Sequence, residues 1–78
     1  MNQKVVPIGT NQTEVTKNGV TVLYSYQTPV AALTKDGALV TTTSYSRTTS
    51  GHIRKALARW DKPRKDVAQD EIDALANR

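Results

Sequence analysis

Two residues, Asn18-Gly19, constrain this chain more than any others. They lie between Glu14-Val15-Thr16-Lys17 and Val20-Thr21-Val22-Leu23. A two-residue type I′ hairpin needs φ > 0 at both central positions, which Asn and Gly tolerate best. Such a turn sets register as well as pairing, with Lys17 opposite Val20 and Val15 opposite Val22. Val15, Val20, Val22, Tyr24 and Tyr26 then share one face, and Thr21, Leu23 and Ser25 the other. The first set is the expected core face. Asp36-Gly37 repeats the device after Val30-Ala31-Ala32-Leu33-Thr34. Centred there, it puts Leu33 opposite Val40 and Ala31 opposite Thr42. Thr28-Pro29 divides the two hairpins.

These signals predict an antiparallel meander of about four strands over residues 13–46. Ahead of it, residues 1–12 carry Val5, Val6 and Ile8 beside Pro7 and Gly9. Pro7 cannot donate to a ladder, so this segment is expected to be an arm or an edge strand. After the meander, Ile53, Ala56, Leu57 and Trp60 recur at i, i+3, i+4 and i+7, the apolar stripe of an α-helix. The three hydroxyl residues Thr48, Thr49 and Ser50 supply cap oxygens, with Thr49 or Thr48 expected at the N-cap. The main helix is placed at 48–61 and stops before Pro63, because the residue ahead of proline avoids the helical region. Asp66 followed by Gln69 reads as a capping box for a shorter helix at 65–76, with Val67, Ala68, Ile72 and Leu75 as its stripe.

The expected fold is therefore α+β. The meander carries one amphipathic helix on one face, a second short helix follows, and the 78 residues form a single domain. So short a chain buries only roughly 60–65% of the surface it exposes when unfolded. It has no cysteine with which to reinforce itself. Its N-terminus lacks the apolar run of a signal peptide, and no stretch approaches the ~20 apolar residues of a membrane span. A cytoplasmic protein without membrane contact is the expectation.

The net charge of +4 is unevenly spread. Residues 47–65 hold Arg47, Arg54, Lys55, Arg59, Lys62, Arg64 and Lys65 against Asp61 alone. Residues 66–78 hold Asp66, Asp70, Glu71 and Asp73 against Arg78. A basic block beside an acidic one either addresses an anionic partner or pairs with its neighbour. On a helical wheel His52, Lys55 and Arg59 fall on one flank of the Ile53 stripe and Arg54 on the other. Lys62, Arg64 and Lys65 carry the block past the helix. Arg47, His52, Arg54, Lys55, Arg59, Lys62, Arg64 and Lys65 are thus the candidate partner-binding residues, in the pattern of an electrostatic footprint for nucleic acid. The plainer reading is a solvated helix face.

His52, the only histidine, follows a run of hydroxyl residues. A nucleophile–base pair would join it to Ser46 or Ser50, but the chain has neither a nucleophile elbow nor a Gly-rich loop, and a local hydrogen bond at the helix start is the simpler role. Thr48-Thr49-Ser50-Gly51 lacks P-loop spacing, so ordinary capping is favoured over phosphate binding. One histidine with scattered aspartates does not make a metal site. No catalytic residue, cofactor or metal is expected.

Tyr24-Ser25-Tyr26-Gln27-Thr28-Pro29-Val30-Ala31 and Tyr45-Ser46-Arg47-Thr48-Thr49-Ser50-Gly51-His52-Ile53 resemble a family of small proteins of unassigned function from bacteriophages and mobile elements. The likeness spans about residues 20–60, with Gly51 departing from a larger helix former. It implies a context and no activity: an accessory protein of phage type, a class that includes anti-CRISPR inhibitors. The functional expectation is a non-catalytic protein that binds a nucleic-acid-handling host or defence complex in the host cytoplasm. Direct binding of DNA or RNA by the basic helix at 47–65 is the alternative.

Overall fold

Six strands lie side by side in the order in which the chain makes them. The computed structural model describes residues 3–9, 11–43 and 45–77. Met1 and Asn2 of the expected arm, and the Arg78 charge, lie outside them. The order is β1 (Gln3–Gly9), β2 (Gln12–Lys17), β3 (Val20–Ser25), β4 (Thr28–Thr34), β5 (Gly37–Thr41), α1 (Arg47–Trp60), β6 (Arg64–Val67) and α2 (Gln69–Ala76). Neighbours from β1 to β5 are antiparallel, and β6 joins β5 in parallel. Helix α1 makes the long crossover that a parallel pair requires.

The fold is α+β as expected, but the meander of about four strands becomes a mixed sheet of six. Segment 3–9, expected as arm or edge, is an edge strand whose register shifts between Pro7 and Gly9. Residues 64–67, expected partly as helix, form the other edge. Arg64, Lys65 and Asp66 are exposed there, and a charged edge discourages pairing with another chain.

The first hairpin has the register read from its turn, with Lys17 opposite Val20 and Val15 opposite Val22. Asn18 (φ 54°) and Gly19 (φ 80°) both take positive φ. The second hairpin turns one residue earlier than Asp36-Gly37 suggests. Lys35 and Asp36 make its turn, so Leu33 faces Ala38 and Ala31 faces Val40. Thr34 closes it, its hydroxyl donating to the Gly37 carbonyl (3.1 Å) and accepting from the Asp36 N–H (3.2 Å). Because each partner moves by two residues, every side chain keeps its face. Gly37 is thereby freed for another task. Its φ is +136°, and a Cβ there would lie 2.9 Å from the Pro63 carbonyl oxygen, which accepts the Ala38 N–H at 2.8 Å as β6 begins.

Helices cover both faces of the sheet, not one. Helix α1 brings Ile53, Ala56, Leu57 and Trp60 onto Leu23, Val30, Ala31 and Val40. Helix α2 and the end of β6 bring Ile72, Leu75, Ala76 and Val67 onto Val20, Val22, Tyr24, Ala32 and Leu39. The Val20/Val22 face, expected to meet α1, thus meets α2. Leu23 and Ser25, on the face ranked second, are 0% and 1% exposed. A β-bulge makes room for this. Ala31 opposes Leu23 and Pro29 opposes Tyr24, so Val30 is the extra residue and joins Ala31 on the α1 side.

Helix boundaries differ from expectation for identifiable reasons. Ser46, not Thr48 or Thr49, caps α1: its Oγ accepts the Thr49 N–H at 3.2 Å. At the far end Asp61 takes the left-handed conformation and returns its N–H to the Leu57 carbonyl. No capping box opens α2, because Asp66 lies in β6 and accepts from Arg64 (2.8 Å). Among the described residues no helix is long and apolar enough to cross a membrane.

Candidate nucleic-acid interface

Residues 24–31 and 45–53, distant in sequence, meet at one end of the sheet. Ser25 ends β3, and its buried Oγ lies 2.9 Å from Thr49 Oγ1 and 2.8 Å from His52 Nδ1. Thr49 and His52, one helical turn apart, both point inward from α1, at 5% and 6% exposure. Burial lowers the His52 pKa below its usual 6.5, and the charge of Lys55 lowers it further. A neutral imidazole locked to a buried hydroxyl is suited to holding α1 on the sheet. The serine that meets His52 is thus Ser25, while Ser46 serves as the cap.

A second knot holds α2. Gln69 Nε2 donates to the Pro29 carbonyl (2.7 Å) and to Asp73 Oδ1 (2.9 Å). Its Oε1 accepts from Thr41 (2.7 Å) and from the Tyr45 hydroxyl (2.9 Å). All four hydrogen-bonding positions of the amide are used. Gln69, read from sequence as half of a capping box, instead ties β4, β5, α2 and the lead into α1 together.

Between these knots lies a cleft of about 290 Å³ lined by Ser25, Tyr26, Thr28, Val30, Tyr45, Ser46 and Thr49. Tyr26 and Tyr45 stand at its rim, 53% and 45% exposed. Tyr26, expected on the Val20/Val22 face, sits in the β3–β4 turn at φ 60°. Its N–H donates to the Asn11 carbonyl at 2.7 Å, and its ring centroid is 6.2 Å from that of His52. A tyrosine in the left-handed region is a rare and strained choice. No alternation in the sequence signals it.

From the cleft α1 runs out along the surface without a single carboxylate among its fourteen residues. Arg47, Arg54 and Lys55 are exposed along its outer side, and exposed Lys62 follows the cap. None of the four makes an ion pair with a described carboxylate. The other candidates are placed differently. Arg59 pairs with Glu14 of β2, which lies opposite Leu23 in β3, and Arg64 pairs with Asp66. Lys65 is exposed on β6, and His52 is turned inward. Thr48 and Ser50, exposed in the first turn of α1, add hydroxyls beside Arg47. The eight-residue basic block thus separates into Arg47, Arg54 and Lys55 exposed on α1 and Lys62 just past its cap, with the remainder compensated, buried or on another element.

The chain belongs to a family of unknown function, DUF8033, whose family model matches residues 3–74. That span holds the cleft and the whole of α1. No curated protein and no solved structure matches the chain.

Proposed function

We propose that this is a non-catalytic binding protein that engages nucleic acid through the outer side of α1. The observation that carries the reading is the carboxylate-free helix with Arg47, Arg54 and Lys55 along it and Lys62 just past it, none of them paired with a described carboxylate. Folding does not account for these charges, since exposed ions contribute only about 0–1 kcal/mol even when paired. Arginine, lysine and small hydroxyl side chains are the groups that contact phosphate and sugar. Recognition of this kind positions a backbone and reads little sequence.

A second reading has its own support. A groove of about 210 Å³ lies between α2 and the sheet, with Val15, Val20, Val22, Tyr24 and Leu75 on its apolar side and Lys17 and Asn18 on its polar side. A groove with both an apolar and a polar side suits a side chain of a protein partner. Together with the resemblance to small phage proteins, it supports an accessory factor docked on a host or defence complex that handles nucleic acid, an anti-CRISPR-like inhibitor being the concrete case. Action in the host cytoplasm belongs to that reading.

Anisotropy titrations with labelled single-stranded and duplex oligonucleotides between 50 and 200 mM salt test the first reading. Four phosphate contacts give a slope of log K against log salt of about −3. Replacing Arg47, Arg54, Lys55 and Lys62 by alanine should flatten the slope while leaving the urea midpoint in place. If the protein fails to bind either oligonucleotide at 50 mM salt, the first reading is wrong. Capture of a host complex that survives nuclease treatment, and is lost when Val15 and Leu75 become aspartate, is the result the second reading expects.

A further inference from the structure

We infer that the cleft between Tyr26 and Tyr45 seats one unstacked nucleobase, which makes single-stranded nucleic acid the preferred ligand. The inference rests on the nucleic-acid reading and adds to it a second, uncharged site. Its first support is the pairing of a cleft with exposed aromatics. Of the three large apolar side chains most exposed in the described structure, two line this cleft. Both are restrained there. The backbone of Tyr26 is set by its left-handed φ and the hydrogen bond to Asn11, and Tyr45 is tethered through its hydroxyl to Gln69. A ring tethered before the ligand arrives, as that of Tyr45 is, loses less freedom on binding.

Size and chemistry narrow the ligand. At about 290 Å³ the cleft falls at the small end of ligand pockets, suited to one heteroaromatic ring system. Thr28 lines the cleft with a hydroxyl that can both donate and accept, which suits the edges of any base, while Ser46 and Thr49 are engaged with each other and Thr49 with Ser25. No carboxylate lines it, and Arg47 follows Ser46 directly, so a methylated lysine or another cation is disfavoured. The cleft also opens at the start of the cationic side of α1. A positively charged track for the backbone joined to aromatic platforms for bases is how sequence-tolerant single-strand binding is built. A duplex keeps its bases stacked and leaves the cleft empty.

The test compares a ten-nucleotide thymidine strand with an abasic strand of the same length, which keeps every phosphate and has no base. Wild-type protein should bind the thymidine strand about 5- to 100-fold more tightly, with equal salt slopes. Tyr26→Ala and Tyr45→Ala should each reduce that preference, while Tyr45→Phe, which keeps the ring, should retain it. Should an alanine variant fail to fold, the comparison of the two strands on wild-type protein still decides. Equal affinity for both strands overturns the cleft inference and leaves the charged face of α1 standing. Failure of both strands to bind overturns the two together.

Discussion

Ser25 Oγ and His52 Nδ1 lie 2.8 Å apart, buried, across 27 positions of chain. With Thr49 Oγ1 2.9 Å from the same serine oxygen, this contact joins the end of β3 to the first turns of α1. Ser25→Ala would leave two buried polar groups short of a partner, at a cost of about 1–3 kcal/mol. Ser46→Ala, which removes the cap, should cost about 0.5–2 kcal/mol. Thr48→Ala, at an exposed position, should stay within about 0.5 kcal/mol. Urea denaturation of the three variants checks this order, and a harmless Ser25→Ala would show the contact to be unimportant.

The same contact gives the fold a pH response. The His52 pKa is lowered by burial and by Lys55, so between the folded and unfolded values the unfolded chain binds more protons. Stability therefore rises with pH across that window. The His52 contribution should be complete above about pH 6.5, the unfolded value, and decline as pH falls below it toward the folded value. Urea midpoints at pH 7.5 and 5.5 measure the decline. Because this is the only histidine, His52→Gln should remove it, and an unchanged pH profile in that variant would assign the effect to carboxylates.

Two-sided coverage of the sheet predicts an ordering of core substitutions. Ile72 of α2 is 0% exposed, while Leu57 of α1 is only partly buried. Ile72→Ala should cost about 2–5 kcal/mol, and Leu57→Ala less. If α2 were a dispensable appendage, Ile72→Ala would leave the denaturation midpoint where it was.

Much of this architecture is legible in the residues, and what is not has physical causes. Asn18-Gly19 gives its hairpin to the residue, because few other pairs accept two positive φ values. The unbroken run Val30-Ala31-Ala32-Leu33 belongs to a strand covered on both faces, and it is the one cue to the second helix layer. Strand β6 is hidden because Arg64-Lys65-Asp66 is an exposed edge with no alternation, its pairing supplied by β5. The second turn misleads because Gly37 answers to the Pro63 carbonyl and not to the turn. At the site, the basic block is visible as a run, but the sorting of paired from unpaired cations depends on Glu14 arriving from β2. The Ser25–His52 contact and the cleft depend on the 24–31 and 45–53 segments converging, which no local pattern announces.

Gly37 offers a direct test of the β5–β6 junction. Gly37→Ala places a Cβ 2.9 Å from a backbone carbonyl at φ +136°, a conformation nearly confined to glycine. Strain of this type costs about 1–3 kcal/mol. The carbonyl is the acceptor for Ala38 and cannot retreat without loosening the parallel pairing. Amide exchange should accelerate first along β6, and a variant whose β6 amides stay protected would show that the junction can give way.

The last prediction concerns Arg59 and Glu14. Their pairing sets Arg59 apart from Arg47, Arg54, Lys55 and Lys62, which pair with no described carboxylate, although its exposure (43%) would otherwise place it among them. Glu14→Gln preserves size and removes the compensating charge. Exposed pairs of this kind contribute at most about 1 kcal/mol, so the fold should tolerate the change. Under the nucleic-acid reading the released guanidinium becomes a fifth contact. Affinity for single strands at 50 mM salt should rise, and the slope of log K against log salt should steepen by about 0.7. Adding Arg59→Gln to Glu14→Gln should return the slope to its wild-type value. A slope indifferent to Glu14 would place Arg59 off the binding surface and confine that surface to Arg47, Arg54, Lys55 and Lys62.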